Sequence, residues 1–224
     1  MDIEDQGTEL LSQSFSDSLK NETTECLSNI IEVGLDSILD DGFIKDIPFI
    51  STAVSLYRIG NSIRDRHNLK KLAVFLQEIN SGCQSEGKRH EYAEKFCTEP
   101  KFRNNELEYV LILIDRYIGY NKPKMLAKLY LAYLNSIVSW NEFCAYTEII
   151  DRFLPGDGEL LCAGYPERIQ YLHTRADDYT RLISLGSMRK QFKSPTLDDI
   201  DTVNFRVRSY ERTSFGEKLC SILR

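Results

Sequence analysis

One stretch, residues 42–80, constrains the fold of this chain more than any other. Apolar residues recur through it at helical spacing, first over residues 47–63 and again over residues 69–79. The sequence of residues 45–48 ends in a proline, which fits a first helical turn because its missing N–H costs nothing there. The charged residues 64–67 interrupt the apolar face. We therefore predict two amphipathic helices, joined at a charged corner, as the centre of the core.

Helical patterns also cover much of the chain on either side of this stretch. They predict helices over residues 22–39, 91–98, 104–118, 123–134 and 139–153. Gly42 suits the position after a helix end, Asn104 and Ser139 suit helix starts, and Pro123 suits a first turn. Residues 1–20 are polar and rich in serine, with a weak apolar trace. This composition predicts a flexible arm or a short helix.

The sequence pattern of the chain changes after residues 154–158, a helix-breaking segment rich in proline and glycine that we call the breaker sequence. We predict a domain boundary there. Residues 177–185 read as a helix ending at Gly186, and residues 193–202 as a polar loop. Residues 203–210 alternate apolar and charged side chains with a period of two, which is typical of a half-buried strand. Residues 213–223 close the chain with a helix.

These patterns predict a mainly α fold: a helical bundle with a small C-terminal α+β element. The parts are an arm over residues 1–20, a helical domain over residues 21–154 and a C-terminal subdomain over residues 155–224. The order helix, Leu-Gly turn, strand and helix in the last part resembles the back half of a winged-helix domain. Winged helices bind DNA in many proteins and serve as docking or structural units in others.

The winged-helix resemblance implies a set of possible nucleic-acid contacts. They are Arg181, Arg189, Lys190, Lys193, Arg206 and Arg208. The charge of the chain argues against strong binding, because the net charge is −6 and seven acidic residues accompany ten basic ones in residues 175–224. Residues 1–41 hold eleven acidic residues and one lysine. We therefore expect nucleic-acid binding to be weak, and we expect a protein partner or self-association to use the chain's surface.

A charge cluster on the central stretch is the second candidate site. Arg64, Arg66, Lys70 and Lys71 could bind an anion or a partner near a helix start, where N–H groups and basic side chains converge. The favoured interpretation is a structural ion-pair network that involves Asp65. The pairs Asp115-Arg116 and Asp151-Arg152, at two predicted helix ends, are likewise interpreted as structural bridges.

No catalytic, metal or cofactor site is predicted. His67, His90 and His173 are far apart and lack the spacing of metal ligands. The Gly-Asp-Gly sequence at residues 156–158 lacks the Lys-Ser/Thr of a phosphate-binding loop, and no G-x-S-x-G elbow is present. We therefore predict a protein that is not an enzyme and that uses no cofactor and no metal.

The chain is expected to be cytoplasmic and without a transmembrane segment. Its acidic N-terminus lacks the basic and apolar regions of a signal peptide, and no apolar run approaches the ~20 residues that span a bilayer. The six cysteines form no C-x-x-C pair, and Cys26, Cys144 and Cys220 stand among apolar residues at helical spacing. This pattern favours buried thiols in a reducing compartment.

A broader resemblance concerns the whole chain. The blocks DGFIKDIPFISTAVSLYRIGNSIRDRHNLKKLAVFL, KPKMLAKLYLAYL and WNEFCAYTEIIDRF, with a terminal T-x-x-G helix, resemble an uncharacterised family of small bacterial helical proteins. Families of this layout, including abortive-infection proteins, imply a role in antiviral defence but supply no catalytic residue. Three hypotheses stay open: a non-enzymatic interaction or regulatory protein, a DNA-binding regulator, and a membrane-active effector that uses the helix over residues 47–63.

Overall fold

In the computed structural model of the protein, the described residues are 3–20, 47–56, 62–83, 86–98, 100–163, 176–192 and 207–224. They form helices and one small antiparallel sheet near the C-terminus, which confirms the mainly α fold class. The helices are α1 (Ile3–Lys20), α2 (Pro48–Leu56), α3 (Ile63–Gly82), α4 (Glu86–Thr98), α5 (Pro100–Arg116), α6 (Asn121–Leu134), α7 (Trp140–Arg152), α8 (Asp157–Ala163), α9 (Ala176–Ser184) and α10 (Ser214–Leu223). The strands are β1 (Met188–Phe192) and β2 (Val207–Arg212).

The chain divides into two compact units, Met1–Phe143 and Cys144–Arg224. The division falls inside α7 and not at the breaker sequence of residues 154–158, where the sequence suggests it. That breaker is a short turn that joins α7 to α8 within the second unit. A proline- and glycine-rich turn marks the end of a helix whether or not a domain ends there, which explains the difference.

The N-terminal segment, predicted as a flexible arm or a short helix, forms a helix that belongs to the core of the first unit. Residues 3–20 form the 18-residue helix α1, which packs against α2, α4 and α5. Leu11, Phe15 and Leu19 recur every fourth residue and are buried. The ring of Phe15 lies 4.9 Å from that of Phe49 and 4.8 Å from that of Phe96, both edge-on.

The serines of α1 pack against neighbouring helices instead of facing water. Ser16 is buried, and its hydroxyl donates to the Ala93 carbonyl of α4 at 3.1 Å. Ser18 accepts a hydrogen bond at 2.9 Å from the backbone N–H of Phe49, in the first turn of α2. Helix starts carry unsatisfied N–H groups, so α1 provides part of the cap that α2 needs. Pro48 begins α2, as the sequence predicts.

The predicted charged corner of residues 64–67 is wrong, because these residues lie inside the first two turns of α3. Phe49, Ile50 and Ala53 of α2 are buried as predicted, but Leu56 is 39% exposed and Ile63 is 82% exposed. Both stand at helix ends, Leu56 as the last residue of α2 and Ile63 as the first of α3. A side chain at the end of a helix has fewer neighbours to cover it, so helical spacing alone overestimates its burial.

Two of the other helix starts follow the sequence, and two lie earlier than it predicts, one of them at Glu86 instead of Glu91. Ser139 begins α7 through a capping box, in which the Glu142 carboxylate accepts from the Ser139 N–H at 2.8 Å and the Ser139 hydroxyl accepts from the Glu142 N–H at 3.3 Å. Pro123 lies in the first turn of α6. The helix predicted to start at Asn104 begins at Pro100 instead. A proline is as well suited to opening a helix as to stopping the one before it.

In the second unit, α9 ends where the sequence predicts. Gly186 has a φ of 71°, and its N–H and that of Ser187 donate back to Ile183 and Leu182 at 2.9 and 3.0 Å, which is a Schellman motif. Strand β1 then pairs antiparallel with β2, with Arg189 opposite Glu211. The sequence predicts β2 in part but not β1.

Close packing joins the last helix to the turn after α9. Thr213 caps α10 by accepting from the Gly216 N–H at 3.0 Å. A Cβ atom on Gly216 would stand 1.9 Å from the carbonyl oxygen of Ser187, so only glycine permits this approach. Two stacked ring pairs complete the packing: Tyr179 on Tyr210 at 4.8 Å, and Tyr146 on Phe215 at 4.3 Å.

Several predictions fall on residues outside the described part of the chain. They are the helix over residues 22–39 with its end at Gly42, the loop over residues 193–202, the first half of the predicted strand, and Cys26. Within the described part, Cys220 is buried as predicted, Cys144 is half-buried, and no cysteine forms a disulfide. None of the described helices has the length and apolar character needed to cross a membrane.

Candidate functional site

A groove of about 390 Å³ lies between α3 and α5 in the first unit, and Ala53 of α2 contributes to its lining. We call it the α3–α5 groove. Its lining combines apolar side chains with a polar end, and consists of Ala53, Arg64, Asp65, Asn68, Leu72, Leu111, Ile112, Ile114, Asp115 and Arg116. The start of α3 meets the end of α5 at the polar end of the groove, and Leu72 and Leu111 are part of its apolar lining.

The start of α3 is fixed by a capping box of its own. The Ser62 hydroxyl accepts from the Asp65 N–H at 3.1 Å, and the Asp65 carboxylate accepts from the Ser62 N–H at 3.3 Å. Helical geometry then places Arg64, Asn68 and Leu72, four residues apart, on the face that borders the groove. The Asp65 carboxylate therefore stabilises the helix start while it also lines the groove.

The polar end of the groove is organised around Asp115, in the last turn of α5. Its carboxylate accepts from the Arg64 guanidinium at 2.5 Å and from the Asn68 amide at 2.5 Å. The Arg64 and Asp115 side chains are 74% and 41% exposed. An ion pair this open to solvent is worth at most about 1 kcal/mol, because water competes for both partners.

Behind this pair, Lys71 is buried and caps the end of α5. Its ammonium donates to the carbonyl oxygens of Asp115 at 3.1 Å and Tyr117 at 2.6 Å. A cation at the negative end of a helix dipole is favourable, but burial costs the charged form its hydration. Burial accordingly lowers the pKa of Lys71 to about 8, while the nearby Asp115 carboxylate acts to raise it and Arg64 to lower it.

A third contact of α3 reaches the turn after α5. The Nε2 atom of His67 lies 2.5 Å from the Ile118 carbonyl oxygen, which can only accept, so Nε2 carries a proton. Its Nδ1 atom lies 2.9 Å from the Tyr120 hydroxyl. The Lys70 ammonium lies 5.5 Å from the centre of the Tyr120 ring, within the range of a cation–π contact.

The apolar part of the groove opens toward solvent. Leu72 and Ile114 are buried at its base, whereas Ile112 on the α5 wall is 51% exposed. Ile118, just beyond the end of α5, is 88% exposed. Single exposed apolar residues are ordinary on protein surfaces, but an exposed isoleucine on the wall of a concave apolar groove is typical of a binding site.

The four residues predicted to bind an anion or a partner are placed differently from one another. Arg64 lines the α3–α5 groove and pairs with Asp115. Lys70 lies over Tyr120, and Lys71 is buried against backbone carbonyls. Arg66 is half-buried and is not part of the groove lining. A shared anion site stays a prediction, and of its four residues Arg64 is the one that faces the groove.

The predicted nucleic-acid contacts lie in the second unit. Arg181 binds the Asp157 carboxylate through two N–H groups, at 2.8 and 2.5 Å. Arg189 pairs with Glu211 across the hairpin, and Lys190 is exposed opposite Tyr210. Lys193 and Arg206 lie outside the described residues, as does the side chain of Arg208. Two of these arginines thus have carboxylate partners, and a nucleic-acid role stays a prediction.

Asp157 is a buried charge that the sequence does not identify, because Gly-Asp-Gly reads only as a turn. Its side chain is 2% exposed and accepts from the Leu154 N–H at 2.8 Å as well as from Arg181. The local sequence carries no capping-box signature, because Leu154 has no side-chain acceptor and Asp157 is the first residue of α8. The partner arginine could not have been identified, since it lies 24 residues further along the chain.

Cys162 in the second unit has the character of a structural thiol. Burial raises the pKa of its thiol to about 11, and the nearby Cys220 thiol acts in the same direction. The thiolate is the reactive form of cysteine, so a raised pKa disfavours nucleophilic chemistry. Among the described residues, no group of three or more His, Cys, Asp or Glu side chains could hold a metal ion.

Comparison of the chain with protein-family models, with curated proteins and with solved structures finds no match.

Proposed function

We propose that the protein is a non-enzymatic interaction protein that binds an apolar helical segment of a partner protein in the α3–α5 groove. The observation that supports this proposal is the groove itself: an open trough of about 390 Å³ with an apolar floor, an exposed isoleucine on its wall and charges at one end. Pockets of this size are large enough to take side chains from a binding partner.

The shape of the groove favours a helix as its occupant. The groove lies between two helices, and an amphipathic helix lays its apolar face into a groove of this kind through side chains at i, i+3, i+4 and i+7. Leu72, Leu111 and Ile112 provide apolar contacts along the trough. Binding a segment of this kind requires no reactive group among the lining residues.

The polar end of the groove determines the direction of the partner segment more than it contributes to affinity. Arg64 and Arg116 stand there beside Asp65 and Asp115, so both signs of charge are present at one end of the groove. Charges at the rim of an interface select the partner and its direction, and they contribute little to the binding free energy. We therefore expect the partner segment to carry charged residues at one end of its apolar face.

The test is a selection of random peptides displayed on phage, with the wild-type chain as the bait. The expected peptides share apolar residues at helical spacing. They should bind the wild-type chain and lose at least about tenfold in affinity against Ile112→Glu, because a carboxylate on the groove wall would have to be desolvated. The control is Ile137→Glu, which places the same charge at a position that is 56% exposed in the turn after α6 and outside the groove.

Two outcomes would contradict the proposal. The first is a selection that enriches no peptide of helical apolar spacing. The second is a set of peptides that bind Ile112→Glu as well as the wild-type chain, which would place the interface elsewhere. Titration calorimetry on purified peptides distinguishes these outcomes, since it gives the affinity for each variant directly.

The resemblance to small bacterial defence proteins supports a proposed setting for this activity, in which the partner belongs to an antiviral system. The test is co-purification from a bacterial host with and without phage infection, using the wild-type chain and Ile112→Glu in parallel. A partner recovered on infection with the wild-type chain but not with the variant would support both the setting and the groove. Equal recovery of the partner with both chains would show that the partner does not bind through the groove.

A further inference from the structure

Side chains on one face of α3 contact the end of α5 and the residues just after it. They are Arg64, His67, Asn68 and Lys71, which stand at the spacing i, i+3, i+4 and i+7. Arg64 and Asn68 hold the Asp115 carboxylate, whereas Lys71 holds the backbone behind it. Since α5 forms one wall of the groove, these contacts set the distance between the two walls.

Lys71 differs from the other members of this cluster because water does not reach it. Lys71 is 1% exposed, whereas the Arg64 and Asp115 side chains are 74% and 41% exposed. Water replaces an exposed hydrogen bond at little cost, but a buried amine that loses its acceptors has no substitute. The two hydrogen bonds of Lys71, at 3.1 and 2.6 Å, are therefore the contacts that fix the α5 wall.

We propose that Lys71 is the positioning residue of the α3–α5 groove, and that the proton on its amine controls how closely the α5 wall is held to α3. With the proton, the ammonium donates charge-assisted hydrogen bonds to both carbonyls. Without it, the amine donates only neutral bonds of roughly half the strength. The consequence for binding rests on the proposed function, because a wall that moves changes how well a partner segment fits.

The surroundings of Lys71 place the loss of this proton in an accessible range. Burial lowers the pKa of the amine, the Asp115 carboxylate opposes that shift, and Arg64 adds to it. Other titratable or charged groups at this junction include His67 and Tyr120 on the side of the turn, Lys70, whose ammonium lies 5.5 Å from the Tyr120 ring, and Lys122, whose ammonium lies 5.6 Å from the Tyr117 ring. Among these groups Lys71 is the one whose nitrogen bonds both carbonyls at the end of α5.

The test is an NMR titration of the full-length chain between pH 6 and 9.5. The ¹³Cε resonance of Lys71 reports its protonation, and the methyl resonances of Ile112 and Ile114 report the groove. We expect both methyl groups to shift with the same midpoint as Lys71, near pH 8. A peptide obtained from the selection above should bind about threefold or more weakly at pH 9.5 than at pH 7, the change expected when charge-assisted bonds become neutral.

Two variants separate positioning from general stability. Lys71→Arg keeps a donor to the carbonyls but does not titrate in this range, so the methyl groups should show no shift with that midpoint and peptide affinity should be the same at both pH values. The control is Lys95→Arg, because Lys95 donates to the Leu134 carbonyl at the end of α6 at 2.9 Å, outside the groove. Its titration should match that of the wild-type chain.

The proposal is overturned if Lys71 titrates while Ile112 and Ile114 do not move, or if these methyl groups shift alike in the wild-type chain and Lys71→Arg. If Lys71→Arg does not fold, the first of these results still decides, because it is read on the wild-type resonances alone. Failure of the proposed function gives a different result, since no peptide would then bind at any pH while the methyl titration would still be present.

Discussion

A buried carboxylate in the second unit and a buried ammonium in the first meet different surroundings. Asp157 accepts three N–H groups, two of them from the positively charged Arg181. Lys71 donates to two neutral carbonyls, and its nearest counter-charge, Asp115, is bound to Arg64. The carboxylate therefore has a cation in direct contact, whereas the ammonium has only backbone carbonyls as hydrogen-bond partners.

The difference teaches that burial alone does not define the role of a charge. A buried ion with a bidentate partner is locked, because removing either member leaves the other uncompensated. A buried ion held only by dipoles has an alternative, which is to release its proton and become neutral. The first arrangement is suited to fixing a structure, and the second to responding to pH.

The largest effect is expected for Asp157→Ala. This change leaves Arg181 without its carboxylate and removes the acceptor for the Leu154 N–H, so it should cost about 3–5 kcal/mol of unfolding free energy. Urea titration followed by circular dichroism measures the loss, and hydrogen exchange should place it in α8 and α9. The matched control is Asp115→Ala, which removes an exposed Asp–Arg pair. Equal losses of unfolding free energy in the two variants would show that the buried pair stabilises the fold no more than the exposed pair.

The second prediction concerns the pH dependence of stability. The native state has a Lys71 pKa of about 8, below the ordinary value of about 10.4 that applies to the unfolded chain. Between these values the unfolded chain binds a proton that the native state does not, so the free energy of unfolding rises with pH.

Relative to Lys71→Arg, the wild-type chain should gain about 2 kcal/mol between pH 7 and 9.5. Urea titrations at several pH values measure this difference. Deprotonation of Lys71 weakens its two hydrogen bonds at the end of α5, but it also removes a buried charge. The second effect is the larger, so the free energy of unfolding rises although the hydrogen bonds are weaker. A flat or falling difference would show that the ammonium is not buried in solution.

A smaller effect is expected for Arg64→Ala. The Arg64–Asp115 pair is exposed, and Asn68 still holds the carboxylate, so the loss should be about 1 kcal/mol or less. The difference between variant and wild-type chain should shrink further in about 1 M salt, where screening acts within about 3 Å. A loss as large as that of Asp157→Ala, or one that salt does not reduce, would contradict the assignment of this pair to the solvent-exposed rim.

The smallest effect is expected for Ile63→Ala, an apolar version of the same contrast. Ile63 is 82% exposed, so its truncation should change the unfolding free energy by less than about 0.5 kcal/mol. Leu72→Ala on the same helix removes a side chain that is 3% exposed and should cost about 2–5 kcal/mol. Similar losses at the two positions in urea titration would show that Ile63 is covered in solution.

The fold class could be predicted because most helices carry local signals, and the misplaced elements show which signals compete. Residues 62–65 have the spacing of a capping box, but the charged residues in this part of the sequence instead suggested a corner between two helices. In α1 the apolar residues recur every fourth position, yet the serines between them read as polar surface. Small hydroxyl groups that bond to neighbouring carbonyls allow helices to approach closely. A hydropathy pattern counts serine as polar and therefore does not predict this burial.

The groove and its polar end depend on contacts that no local pattern encodes. Arg64 is the predicted site residue that lines the groove, and its role there follows from Asp115, 51 residues later. The burial of Lys71 follows from acceptors 44 and 46 residues later. A lysine within an amphipathic helix reads as solvent-exposed until the end of another helix is placed against it. Sequence periodicity identifies helices, but the pairing of their ends is a tertiary property.

The capping of α5 by Lys71 has a consequence for biosynthesis. Lys71 leaves the ribosome before the carbonyls of Asp115 and Tyr117 exist, so its amine stays hydrated until more than 40 further residues have emerged. Its dehydration and the ordering of the α5 terminus then occur together, in a late step that closes a long loop. Nascent chains stalled before residue 115 should therefore have a Lys71 amine that reacts with acylating reagents, and released chains should protect it.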